Sequence, residues 1–265
     1  MEKFKKVAII TGASSGIGLE TAKYFSQKNY IVYGISKSEF SSEIFTHYQC
    51  NICDIDNMKK IFDEIYLKEG RIDLVINNAG LGISGAIESA TKEDIATIFN
   101  VNLIALVNVC RISIAYLRKT KGRIINTGSV AGVIPLPFQA CYSATKSAAE
   151  NFSQALDMEV KNFGIRVCCV RPGDTKTKFT QNRIKNSTED KSQYKLRVEK
   201  SVAKMEKDEQ KGMSPICVSK LMYKLATKKN PPYVATVGFL YKFLCALSKI
   251  LPNRLKNYII KKIYG

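Results

Sequence analysis

Five short apolar runs rich in β-branched residues punctuate the first two thirds of the chain: Val7 to Thr11, Ile31 to Ile35, Leu74 to Asn77, Arg123 to Thr127 and Arg166 to Val170. Longer segments of helical period separate them, and this rhythm builds βαβ units around a parallel sheet covered on both faces. The first helix is predicted over Gly16 to Gln27, where Ile17, Thr21, Tyr24 and Phe25 keep the period and Asn29-Tyr30 ends it. A length of 265 residues suits one α/β domain with a single core. Neither an internal repeat nor a low-complexity linker interrupts it.

Charge is distributed unevenly. Residues 1–175 carry 20 basic and 17 acidic side chains, whereas residues 176–265 carry 21 and 6. Such an excess steers anionic partners, whether nucleotides, nucleic acid or lipid head groups, and says nothing about fold. Nucleic acid is disfavoured, because acids are interleaved through 189–209 and no stacking aromatics or known motif accompany the lysines. The segment MEKFKK is followed by only four apolar residues before Thr11 and Gly12, so no signal peptide is read there and the expected location is the cytoplasm. Eight scattered cysteines are then expected to stay reduced. Cys50, Cys53 and the single histidine, His47, offer no fourth ligand, and no metal is expected.

The pattern changes after Pro172-Gly173. Residues 176–212 are dominated by charged and polar side chains, with Ser187, Glu189 and Asp190 as a helix start and Tyr194, Val198, Val202 and Met205 as a narrow apolar stripe. This reads as a surface insertion of one or two helices, suited to a lid, ahead of a helix near Pro215 to Lys229. From Tyr233 the chain is apolar again. Val237, Leu240, Leu244, Leu247 and Leu251 share one helical face and Lys242 and Lys249 another, so an amphipathic tail is predicted, not a spanning helix. Two uses of that tail follow: packing on the domain or on a partner subunit, or lying on a membrane surface with Leu240, Leu244 and Leu247 entering the interface.

The segment VAIITGASSGIG places Gly12, Gly16 and Gly18 after a strand and at the opening of a helix. Glycines there let the backbone approach a pyrophosphate, which unpaired amides at the helix N-terminus stabilise. Gly12, Ser14, Ser15, Gly16, Ile17 and Gly18 are therefore candidate cofactor contacts. A second constellation concerns proton transfer. Reducing a ketone by hydride leaves an alkoxide that needs a positioned acid, and Tyr142 lies four residues before Lys146, on one helical face. The neighbouring ammonium is expected to draw the phenol down from its ordinary value near 10. Tyr142 is thus the predicted acid in reduction and base in oxidation, with Ser129, 13 residues upstream, hydrogen-bonding the substrate oxygen. With His47 the single histidine and no G-x-S-x-G elbow around Ser129, a serine hydrolase is excluded.

Taken in order, TGASSGIG, Asn77-Asn78-Ala79-Gly80, Asn102, Ser129, Tyr142-Ser-Ala-Thr-Lys146 and Pro172-Gly173 resemble the short-chain dehydrogenase/reductase family over residues 7–177. The resemblance implies a Rossmann-type doubly wound parallel sheet and a nicotinamide cofactor. It further implies that Asn78, Ala79 and Gly80 line the cofactor pocket and that Asp54 contacts the adenine. Tyr142 and Lys146 would also touch the cofactor, Lys146 through the ribose hydroxyls. Asn102 would be a fourth catalytic residue keeping a water-mediated proton path near the lysine. Pro172, Gly173, Thr175 and Thr177 would meet the nicotinamide end, and the subunits would form a homodimer or homotetramer through helices near Asn102–Lys119 and Tyr142–Phe163. A nucleotide-sensing regulatory binder on the same fold is the rival reading; it would keep the glycine loop and lose the catalytic set.

An NAD site needs a carboxylate at the end of the second strand. Ile35 stands there, followed by Ser36 and Lys37, whose hydroxyl and ammonium suit a 2′-phosphate, while Glu39 lies too far past the strand. NADP(H) is the predicted cofactor. The apolar segment Val133 to Phe138 and the tail point to a hydrophobic alcohol or ketone such as a steroid, a long-chain acyl or sphingoid ketone, or a retinoid-like molecule.

Overall fold

The computed structural model describes residues 5–179 and 181–265; Met1 to Phe4, part of the segment read above for a signal peptide, lie outside them. β1 (Lys6–Thr11) leads into α1 (Gly16–Gln27), β2 (Tyr30–Ser36), the polar edge strand β3 (Thr46–Gln49), α2 (Ile55–Glu69) and β4 (Leu74–Asn77). After the two-residue strand β5 (Ile83–Ser84), α3 (Lys92–Phe99) runs through a π turn at Asn100–Ile104 into α4 (Ala105–Thr120). β6 (Arg123–Thr127), α5 (Ala140–Val160) and β7 (Arg166–Arg171) follow. The last third holds β8 (Ile184–Lys185), α6 (Lys195–Gln210), α7 (Pro215–Thr227), β9 (Val234–Thr236), α8 (Phe239–Ile250) and α9 (Asn253–Tyr264).

Seven strands make one sheet in the order β3-β2-β1-β4-β6-β7-β9, and every adjacent pair is parallel. The winding reverses between β1 and β4, which opens a crevice at the carboxyl ends of those strands. Period-two alternation divides the core. Val7 and Ile9 of β1 pack with α2, α4 and α5, whereas Ala8 and Ile10 pack with α1 and α7. The run Lys92–Thr120 is long and apolar enough to cross a membrane, yet Leu106, Val109, Cys110 and Leu117 bury into the sheet core, so it is a layer helix of the domain.

All five expected strands and both bounds of α1 match the structure. Two expectations are corrected. After Ser187 there is only a single 3-10 turn, Glu189–Lys191: the Ser187 amide and hydroxyl donate to Asp94 at 2.9 and 2.7 Å, which pins the insertion to the start of α3, and α6 begins only at Lys195. Val237 is not on the tail helix. Val234–Thr236 pairs with β7 as the seventh strand, Val237 follows it into the core, and α8 starts at Phe239.

Candidate active site

At the crevice, the loop after β1 is stapled to the loop after β4. Thr11 Oγ1 accepts from the amides of Asn78 and Ala79 at 3.0 and 3.1 Å, and Asn78 Nδ2 donates back to the Thr11 carbonyl at 3.2 Å. Gly12 sits at φ +68°, and a side chain there would come within 2.8 Å of the Ala79 Cα. A Cβ on Gly18 would meet the Gly12 carbonyl at 2.1 Å. The loop therefore passes flush over the helix start. Ser15 precedes α1 in extended conformation without a side-chain cap, so the first-turn amides are left for a ligand. This cradle fits a dinucleotide pyrophosphate.

One cavity of about 1230 Å³ runs from this cradle across the carboxyl ends of the strands. That exceeds the roughly 1,000 Å³ upper end for pockets holding one small ligand. Ser14, Ser15, Gly16, Ile17, Asn78, Ala79 and Gly80 line it, as do Pro172, Gly173, Thr175 and Thr177 at the far side. Gly18 lies beneath the loop and does not itself form the wall.

Past the end of β2 the wall is Ser36, Lys37, Ser38, Asn51, Ile52 and Cys53, a set with one cation and no acid. Lys37 is exposed. The Ser36 hydroxyl is shared between the Ser38 carbonyl at 3.0 Å and His47 Nε2 at 2.6 Å. Asp54 is not part of the cavity wall, which its neighbours Cys53 and Ile55 line, and its carboxylate caps α2 by accepting from the Asn57 amide at 3.1 Å. Asn51 and Ile52 hold the place expected for it.

Tyr142 and Lys146 lie one turn apart on α5, and both face the cavity. Lys146 Nζ donates to the Thr127 carbonyl at the end of β6, at 2.9 Å. Ser129 takes an extended conformation, accepts from the Ala131 amide at 3.1 Å and reaches the Tyr142 phenol. Asn102, in the π turn, grips the loop after β4: its Oδ1 accepts from the Leu81 amide at 2.8 Å and its Nδ2 donates to the Leu81 carbonyl at 2.9 Å. A Cβ on Gly80 would sit 3.2 Å from Asn102 Oδ1 and 3.5 Å from Lys146 Nζ, so the four side chains converge.

The electrostatics differ from the sequence-based expectation. Burial pushes the Tyr142 phenol up to about 12, against the lowering by Ser129. The Lys146 ammonium is pulled down by burial to about 8. Burial dominates at the phenol, and the charges that act on it are Glu209, which raises it, and Arg183, which lowers it; the Lys146 ammonium is turned to the Thr127 carbonyl.

On the substrate side the apolar segment and tail named from sequence do line the cavity, through Ile134, Leu136 and the tail leucines; what sequence reasoning missed there is the contribution of Phe179, Arg183 and Glu209. The Phe179 ring lies 5.9 Å from that of Tyr142. Arg183, from the insertion, is buried against Glu209 of α6, and both act electrostatically on the Tyr142 phenol. Arg183 Nε and Nη1 are buried without a hydrogen-bond partner. Leu240, Leu244, Leu247 and Leu251 of the tail line the cavity with Ile259, Ile260 and Ile263 of α9. The leucine spacing was visible in sequence, but what it faced was not.

The chain is similar to known proteins in sequence and in fold. The short chain dehydrogenase family model matches residues 6–188. The chain is 39% identical over 266 residues to 3-ketodihydrosphingosine reductase of Bacteroides thetaiotaomicron, covering 98% of each. It is 33% identical over 190 residues to NADPH-dependent 1-acyldihydroxyacetone phosphate reductase of Saccharomyces cerevisiae, covering 68% of this chain and 64% of that one. Among solved structures, a short-chain dehydrogenase from Streptomyces avermitilis superposes with a TM-score of 0.83 at 21% identity, over 99% of this chain and 98% of that one. ElxO with NADP bound gives 0.74 at 26% identity, over 90% and 99%. The glycine cradle, the Asn–Ser–Tyr–Lys convergence and the family match over most of the chain have one meaning: this protein is an oxidoreductase of the short-chain dehydrogenase/reductase family, which uses nicotinamide cofactors.

Proposed function

We propose that the protein is an NADPH-dependent reductase of a lipid-like ketone, with Tyr142 as the proton donor. The observation that carries this reading is the single cavity in which Tyr142 and Lys146 stand between the glycine cradle and a trough lined by tail leucines and isoleucines. Bound dinucleotide supplies the hydride. Tyr142 gives its phenolic proton to the oxygen formed at the substrate carbon, and Ser129 holds that oxygen by hydrogen bond. A phenol raised by burial stays protonated at neutral pH, which suits the reductive direction. Lys146 holds positive charge beside the phenol, and Asn102 fixes the loop that carries Gly80 against it.

Preference for NADP(H) is supported by Lys37 and the acid-free wall past β2. A long-chain acyl or sphingoid ketone is favoured over a steroid because the trough is extended and the two curated relatives bear names of lipid reductases. Arg183 and Glu209, near the phenol, suit a polar group next to the ketone. Absorbance at the nicotinamide band, with NADPH and either 3-ketodihydrosphingosine or small sugar ketones, tests the reading. Turnover of the sugars without turnover of the long-chain ketone would remove it.

We further infer a cytoplasmic homo-oligomer. The eight cysteines are free thiols, which suits a reducing compartment, and Ile104, Met158 and Phe163 are exposed near α4 and α5. Light scattering at a monomer mass would discard the oligomer.

A further inference from the structure

The tail helices carry more exposed apolar surface than a water-facing helix pair needs. Eight of the eighteen large apolar side chains exposed among the described residues fall between Phe239 and Ile263. On α8, Phe239 is 87%, Ile250 81% and Phe243 54% exposed, and their spacing of four and seven places them on one stripe. On α9, Leu255, Tyr258 and Ile259 are exposed in the same way. Contiguous patches of this kind mark an interaction site. Of the face chosen from sequence, Leu240, Leu244 and Leu247, all three line the cavity, and only Leu240 is also largely exposed.

These helices are held firmly. Tyr241 donates to Asp174 at 2.7 Å and Tyr264 to Asp208 at 2.9 Å, while Cys245 and Ser248 are buried. The outward stripe is thus presented by a docked element. Its surroundings are basic: residues 239–265 contain six Lys and Arg and no Asp or Glu. None of the six has a carboxylate within ion-pair distance among the described residues.

We propose that α8 and α9 dock the enzyme on an anionic lipid bilayer, and that the cavity mouth opens into that bilayer. Apolar side chains rimmed by unpaired cations match the acyl and head-group layers of an anionic leaflet. A second copy of the chain would bring the same cations against themselves across a two-fold axis, which disfavours that occupant. Continuity gives the docking its purpose. Leu240, Ile259 and Ile263 are exposed and line the cavity at once, so a long-chain ketone passes from lipid past these side chains into the cavity that holds Tyr142. This last step rests on the lipid-ketone reading above.

The test uses the full chain and vesicles of phosphatidylcholine with one-quarter phosphatidylglycerol. Wild type is expected to float with them, to stay behind with pure phosphatidylcholine, and to be released by salt. The triple variant Phe239→Ser, Phe243→Ser, Ile250→Ser alters side chains outside the cavity wall. Its floated fraction and its turnover of a long-chain ketone embedded in vesicles are expected to fall at least about tenfold, with turnover of a short water-soluble ketone unchanged. Wild type that stays in the dense fraction, or a variant that floats equally, overturns the proposal. So does a variant whose particle mass halves in light scattering, because the stripe is then a contact between copies. Absence of any ketone turnover, with flotation intact, would strike the proposed function and leave the docking standing.

Discussion

The Lys146 ammonium nitrogen donates to the Thr127 carbonyl at 2.9 Å and stands 5.8 Å from the centre of the Tyr142 ring. The end of β6 thereby fixes where the cation sits relative to the acid. Burial draws Lys146 down to about 8 and raises Tyr142 to about 12. Between those values the phenol keeps its proton while the lysine loses its charge. Reductive kcat/KM is therefore expected to be level on the acid side and to decline as pH rises through about 8. A profile that stays flat until the phenol itself titrates would show that the lysine charge does not assist.

Tyr142→Phe keeps the ring against Phe179, 5.9 Å away, and removes the hydroxyl that carries the proton. Positioned acid catalysis contributes about 10²–10⁴-fold, so kcat is expected to drop by that much. NADPH affinity, read by nicotinamide fluorescence, should stay within about twofold, since packing at the site is retained. Near-normal turnover would take the phenol out of the reaction.

Lys37→Glu puts an acid where the wall past β2 has none. Like charges brought together at a binding site cost several kcal/mol, so a 2′-phosphate should be rejected. The NADPH/NADH ratio of kcat/KM is expected to fall by about tenfold or more. An unchanged ratio would mean that Lys37 is solvated and reads nothing.

What could be read from sequence was what local physics decides. Apolar runs of β1, β2, β4, β6 and β7 and the glycine-bounded start of α1 are short-range signals, and they placed those elements and the cradle together. Asp54 carries no local signal that separates its two uses, because an aspartate at a helix start satisfies backbone amides whether or not a ligand is near. The leucine stripe Leu240, Leu244, Leu247 and Leu251 gave a helix face but not its direction, since cavity and bilayer are equally apolar. Arg183 and Glu209 meet across 26 residues of the insertion, with no spacing that announces the pair. Val237 was drawn into the helix because three strand residues before a helix look like its first turn.

Asn102 spends its side-chain amide on both backbone groups of Leu81. Asn102→Leu fills similar volume and orphans that amide and carbonyl. Each partly buried group left unpaired costs about 1–3 kcal/mol, so roughly 2–6 kcal/mol of stability should be lost. At about 2–4 °C per kcal/mol for a domain of this size, that is a fall in Tm of at least about 4 °C, measured by circular dichroism. Activity should fall with it, because Gly80 is held beside Lys146 by the same loop. A variant with unaltered Tm would mean that water replaces the amide without loss.

Gly173 has no room for a side chain. A Cβ there would meet the Tyr241 ring at 2.4–2.5 Å, and Tyr241 is tied to Asp174 at 2.7 Å. Gly173→Ala must therefore push α8 away from the strand ends, carrying Leu240, Leu244 and Leu247 out of the cavity wall. Loss of that apolar wall is expected to raise KM for a long-chain ketone by about tenfold, equivalent to about 1.4 kcal/mol, while a short ketone that never reaches α8 keeps its KM. Tyr241→Ala removes the clash but also the tether. If the steric account holds, adding it to Gly173→Ala should make KM no worse than Tyr241→Ala alone, a non-additivity that a double-mutant cycle measures. Fully additive changes would mean that the alanine acts at the cofactor side of Gly173 and that the contact with α8 is incidental.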